Sequence, residues 1–187
     1  MGKGNGRTFL GRKVMSIEAC VEVQKGIYLD APCSKAVATF CLLPLMVYCD
    51  FRSGRWEDEE YKEMNEWVSA IASRMQEDLC ILERAISSSE WDYSEDDYER
   101  FCGEMNQDRA ISQEQFVKAC RDLEQKWTST ELLKRVVDDF TRIVEEIHPQ
   151  DRGWYEEEHS LPQFKSLSES LALAMEKGYL KVRLACG

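Results

Sequence analysis

TSTELLKRVVDDFTRIVEEIHP, Thr128–Pro149, is the stretch that sets the expected fold. Leu133, Val136, Val137, Phe140, Ile143, Val144 and Ile147 recur at steps of three and four, which places them on one stripe of an α-helix. Thr128 or Ser129 can open this helix by accepting a hydrogen bond from a first-turn N–H, and Pro149 ends it because proline lacks the donor a helix interior requires.

The same logic extends outward. Met64, Trp67, Val68, Ile71, Met75, Leu79, Leu82 and Ile86 form a second stripe, and no Gly or Pro interrupts residues 56–87. That pattern predicts one helix of about 30 residues, roughly 45 Å long. Ser87-Ser88-Ser89 ends it. Ser94 with Asp97 and Ser112 with Gln115 have the spacing of capping boxes, predicting helices over about 95–106 and from 113 onward, the latter burying Phe116, Ala119, Cys120 and Leu123. Pro162 suits the first turn of a last helix carrying Phe164, Leu167, Leu171, Leu173 and Met175, which Gly178 caps. Tyr179–Leu184 alternates and reads as a terminal strand.

Toward the N-terminus the signal weakens. Ser16–Val23 fits a helix or a strand, and Ile27-Tyr28-Leu29 is a candidate partner for the terminal strand. Ser34 can cap an apolar helix running through Cys49, kinked or restarted at Pro44. Residues 1–14 form a basic, Gly-rich, flexible tail. The expectation is therefore an all-α chain: one helical domain of six or seven helices over 15–187, with at most a two-stranded patch at the C-terminal strand.

The 187 residues are 43% apolar, enough to bury a core and too many for a disordered chain. No apolar region follows the basic N-terminal residues as a secretory signal would require, and position 6 is not the Ser or Thr of a myristoylation signal. The longest apolar run, Ala36–Cys49, is too short to cross a membrane, for which about 20 residues are needed. A soluble, cytoplasmic protein is expected. The eight cysteines are spread without any Cys-x-x-Cys pair, and most sit inside apolar patterns. They read as reduced, buried thiols, and the spacing of Cys33, Cys41 and Cys49 does not suit zinc.

Charge is uneven. The net charge is −11, while residues 57–100 alone carry −11, residues 1–56 carry +4 and residues 101–187 carry −4. Two acidic clusters dominate the middle block: Glu57, Asp58, Glu59 and Glu60, then Glu95, Asp96 and Asp97. Such carboxylates favour the first turn of a helix and also present a negative face to a basic partner. Phosphates are repelled by it, so direct nucleic-acid binding is not expected. Trp91 and Tyr93, flanked by acids, have the chemistry of interface anchors.

Catalytic frames are sparse. Arg142 and His148 form an Arg-x5-His string that resembles the motif of HEPN ribonucleases; the resemblance covers seven residues and implies that Arg142 stabilises phosphate charge while His148 moves a proton. At 100° per residue, however, Arg142 points about 150° from the apolar stripe and His148 about 90°, toward solvent unless a dimer covers them. Glu145…His148 and Glu156…His159 are Glu-x-x-His strings of the kind used in di-iron bundles, but only a proline-containing loop separates them. Asp92–Asp97 lacks the Gly and terminal Glu of a calcium loop. No phosphate-binding loop or nucleophile elbow is present. No metal or cofactor is expected.

The sequence therefore predicts a non-enzymatic, acidic protein-binding module, an inhibitor or immunity-type protein that occludes a basic site on a toxin or nuclease. Its expected contact residues are Glu57, Asp58, Glu59, Glu60, Trp91, Tyr93, Glu95, Asp96 and Asp97. The alternatives are an RNA-cleaving enzyme using Arg142 and His148, or a structural subunit that offers the 64–86 stripe to a partner helix.

Overall fold

The computed structural model describes residues 18–29, 35–54, 59–88, 94–104, 111–147 and 161–186. The all-α expectation fails at the two ends of the chain. Glu18–Gln24 (β1) alternates strictly: Ala19, Val21 and Val23 are buried in the core, while Cys20, Glu22 and Gln24 take the opposite face. Its main partner is Lys181–Cys186 (β6), antiparallel, with Ala19 opposite Cys186 and Glu22 opposite Arg183.

Short strands complete both edges. Ile27–Tyr28 (β2) and Lys35–Ala38 (β3) share the outer side of β1, whereas Ile86–Ser88 (β4) and Thr128–Ser129 (β5) share the outer side of β6. The sheet is thus four positions wide and mixed, since β4 runs parallel to β6 and the other pairs are antiparallel. Ile27–Tyr28 pairs with β1 and not, as expected, with the terminal strand. The turn between β1 and β2 uses Gly26 at φ +72°, a left-handed conformation glycine adopts without a side-chain clash.

Helices cover the face of the sheet that carries Val21 and Leu184. Thr39–Arg52 (α1) runs unbroken through Pro44. Thr130–Glu146 (α6) and Leu161–Glu176 (α7) pack closely, with Phe140 and Phe164 ring centroids 5.1 Å apart. Their buried stripes match the periodicity read from the sequence: Leu133, Val136, Val137, Phe140, Ile143 and Val144 on α6, Phe164, Leu167 and Leu171 on α7. Each such side chain contributes about 1.5–3 kcal/mol through burial. Ser129 caps α6 by accepting from the Leu132 N–H at 3.3 Å. Gly178, at φ +82°, closes α7, with the Tyr179 N–H returning to the Ala174 carbonyl at 3.0 Å.

The expected 30-residue helix over 56–87 is not formed. A 3-10 turn at Glu59–Tyr61 leads into Lys62–Ala72 (α2), the chain breaks over 73–79, and Cys80–Arg84 (α3) follows before β4. Polar groups cause the break. The Ser73 hydroxyl bonds back to the Ala70 carbonyl at 2.8 Å, the Gln76 N–H donates to Asp139 Oδ2 at 3.0 Å, and Asp78 Oδ1 takes the Cys80 N–H at 3.0 Å. Asp78 restarts the helix in the way that side-chain acceptors compete with a continuous ladder. The apolar positions were still core positions: Met64, Val68, Ile71, Leu79 and Leu82 are buried.

Cys49 and Cys80, expected as separate thiols, are joined as a disulfide between α1 and α3, with Cα atoms 5.8 Å apart.

The remaining helices make a satellite unit. A 3-10 turn at Glu95–Asp97 enters Tyr98–Glu104 (α4), and Gln113–Glu124 (α5) packs against both. Phe101, Phe116 and Cys120 form its buried centre, with Tyr98–Phe116 and Phe101–Phe116 ring centroids 5.4 and 4.9 Å apart. The Tyr98 hydroxyl donates to the Ile111 carbonyl at 2.9 Å. Both expected capping boxes are present: Ser94 with Asp97, and Ser112 with Gln115. Among the described residues no helix is long and apolar enough to cross a membrane.

Candidate functional site

The acidic clusters fall on different elements. Glu59 is exposed and lies 3.5 Å from Lys62 in the turn that opens α2; Glu57, Asp58 and the side chain of Glu60 lie outside the described residues, as do Trp91 and Tyr93. Glu95, Asp96 and Asp97 sit in the turn that opens α4, against α5.

Two of these three carboxylates have structural partners. Glu95 receives both Arg121 Nε at 2.9 Å and Arg121 Nη2 at 3.1 Å, a two-pronged pair that ties the α4 entry to α5. The hydrogen bond from Arg121 holds the Glu95 carboxyl below its ordinary pKa. Asp97 accepts from the Ser94 N–H at 2.7 Å and the Ser94 hydroxyl at 2.6 Å, and these bonds, aided by Arg100 and Lys25, lower its pKa also. Asp96, between them, is exposed.

Arg121 is shared with an open groove of about 600 Å³ along α5, lined also by Gln113, Glu114, Val117, Lys118, Asp122 and Gln125. Through its bond to Arg121, Glu95 ties the α4 entry turn to this groove, whose lining carries Glu114 and Asp122 alongside Lys118 and Arg121. The groove is open to solvent, so it can take a side chain or a loop of another molecule but does not desolvate a small ligand.

Arg142, from the HEPN-like string, takes a different position. Arg142 lies on the exposed face of α6, where Nη1 donates to Glu146 at 2.6 Å and Nη2 to Asp139 at 2.5 Å. These bonds, the one to Asp139 first, raise its pKa. Arg74 also binds Glu146, and Arg135 binds Glu77 and Glu131, so the cleft of about 380 Å³ beside Arg142 is lined by ion pairs. An RNA phosphate would have to displace two carboxylates from Arg142. His148, Glu156 and His159 lie outside the described residues. Among the described residues no group of three or more metal-ligating side chains is gathered.

Sequence reasoning passed over an enclosed charged pair. Arg183 and Glu22 pair on the second face of the sheet, with side chains 7% and 1% exposed. Arg183 Nε and Nη2 reach the two Glu22 oxygens, Glu22 Oε1 also accepts the Gly26 N–H at 2.6 Å, and the guanidinium lies 5.0 Å from the Trp127 ring centroid. The signal was present: the alternating segments EACVEVQ and KVRLAC each carry a charged residue, Glu22 and Arg183, inside an apolar run. Leu180, 84% exposed in the turn before β6, is an apolar surface residue the sequence reading also left unmarked.

Compared with protein-family models, curated proteins and solved structures, the chain matches none.

Proposed function

We propose that this protein acts by binding another protein, and that the face formed by the α4 entry turn and α5 receives a basic surface of that partner, in the manner of an acidic inhibitor. The observation that carries the reading is the exposed Asp96 beside Glu95, whose partner Arg121 lines the open α5 groove together with Glu114 and Asp122. Carboxylates at the rim of an interface steer a basic partner and raise its association rate, while a groove on a preformed helix gives shape to the contact.

Asp97 and Glu95 are poor positions for a test, because their replacement also removes the cap and the tie to α5. Asp96→Lys with Glu99→Lys reverses two exposed charges and leaves those bonds in place. Co-purification at low and moderate salt identifies the partner, and stopped-flow association then compares the two proteins. The reading requires a basic partner, weakened by salt, with association slowed in the double variant. An unchanged association rate removes this face from the interface.

A further inference from the structure

Cys49 is 4% exposed near the end of α1, Cys80 is half-buried at the start of α3, and the bond between them is the covalent tie from α1 to the segment that breaks the α2–α3 helix. Cys20, Cys41, Cys102 and Cys120 lie outside any disulfide. Among the described cysteines this one bond differs from the dense frameworks that hold small secreted domains together.

The surroundings of Cys80 are asymmetric. Asp78 accepts from its N–H, from Arg52 at 2.6 Å and from Arg84 at 3.0 Å, and Arg84 Nε also donates to the Cys80 carbonyl at 3.2 Å. Two guanidinium groups thus converge on the carboxylate two residues before Cys80, and Cys80 is more exposed than Cys49, so an attacking thiolate reaches it more readily.

We propose that Cys49–Cys80 is a reversible thiol–disulfide exchange site, opened by a dithiol reductant at Cys80, that controls how tightly segment 73–80 is held. A reductant thiolate attacks Cys80 Sγ; the Cys49–Cys80 bond breaks, its electron pair leaves on Cys49 Sγ, and a mixed disulfide forms on Cys80. The second thiol of the reductant, as its thiolate, then displaces Cys80 as a thiolate. The reductant departs as its own disulfide, and the protein has gained two electrons, with protons taken up as the pH allows.

Reduction loosens the segment without unfolding the chain. Leu79 and Leu82 remain buried and keep α3 seated, so the two sulfurs stay near each other and the bond can re-form. Elsewhere in segment 73–80, Met75 packs partly buried against the core, and the polar contacts, Arg74–Glu146, Arg135–Glu77, Gln76–Asp139 and the Asp78 pairs with Arg52 and Arg84, are each weak alone.

The test uses the full chain equilibrated in reduced and oxidised dithiothreitol, with thiols mapped by alkylation and backbone opening by hydrogen exchange. Expected are a reversible Cys49–Cys80 bond, alkylation of Cys80 about tenfold faster than Cys49, and exchange over 73–80 about tenfold faster on reduction while 130–147 stays protected. Cys49→Ser is expected to trap a stable glutathione adduct on Cys80, since the displacing thiol is gone. The proposal is overturned if the bond is absent under oxidising conditions, if exchange over 73–80 does not change, if the whole chain loses protection, or if folded Cys49→Ser forms no adduct.

Discussion

Glu22 and Arg183 stand directly opposite each other on β1 and β6 and form an ion pair almost sealed from solvent, joining positions 161 residues apart. Trp127 lies against the guanidinium, so the end of α5 and the sheet meet over this pair. A buried pair of this kind adds little net stability over an apolar replacement but is costly to break, because the remaining charge is stranded.

Glu22→Ala is therefore expected to destabilise the chain by about 3–5 kcal/mol, and Glu22→Leu with Arg183→Met by much less. Urea unfolding midpoints check this. A single variant no worse than the double one would mean that the pair is not enclosed in solution.

Ser112 and Gln115 exchange reciprocal hydrogen bonds at the start of α5, at 2.9 and 3.2 Å. Ser112→Ala should cost about 1 kcal/mol. Ser112→Asp, which keeps an acceptor and suits the helix dipole, should restore most of it. Thermal unfolding of the three proteins separates capping from mere side-chain loss.

Phe140 and Phe164 are fully buried against each other at the α6–α7 contact. Either Phe→Ala change should cost about 3–5 kcal/mol. In a double-mutant cycle the pair should couple by about 0.5–1.5 kcal/mol, the additional contribution of a tilted ring contact. Strict additivity would place the rings out of contact.

Among the described residues, Glu95, Asp97 and Asp139 have pKa values lowered in the fold: Glu95 through Arg121, Asp97 through Ser94, and Asp139, where partial burial pushes upward but Arg142 and the Gln76 N–H outweigh it. A lowered folded pKa means stability that is fully present above the unfolded value, near 4, and lost as pH falls through the folded value. Stability from these groups should thus be flat from pH 7 to about 5 and decline below about 4. Glu95→Gln with Asp97→Asn should flatten that acid limb. An identical pH profile in the variant would show that other groups govern it.

The Cys49–Cys80 bond closes a loop across a sequence separation of 31 residues. On the chain-entropy account, replacing both with serine should lower stability by about 3–4 kcal/mol. Denaturant unfolding under oxidising conditions measures it, and equal stability would mean the bond constrains no unfolded-state freedom.

Local patterns made much of this chain legible. The α6 and α7 stripes, the Ser129 cap, both capping boxes and the Gly178 stop follow from side-chain spacing and from the few residues able to satisfy a helix end. These interactions span three or four residues, so the sequence contains both partners. The acids of 95–97 were legible as charge, but their commitment to Arg121 and Ser94 was only half visible: Ser94 is three residues away, Arg121 twenty-six.

What the sequence by itself determined was which residues are apolar, which caps are possible and where the negative charge is concentrated. Tertiary structure alone decided that residues 18–24 form a strand, that the 56–87 stripe is split, and that Cys49 meets Cys80. A strand's hydrogen-bond partners lie elsewhere in the chain, and Glu18–Gln24 becomes a ladder only once Lys181–Cys186 arrives beside it. The 56–87 pattern has an unbroken helical period, and it yields because Asp139, on α6, takes the Gln76 N–H while Asp78 takes the Cys80 N–H where α3 begins. Periodicity records which side chains seek the core; which backbone bonds are sacrificed to place them there depends on groups contributed from a distance.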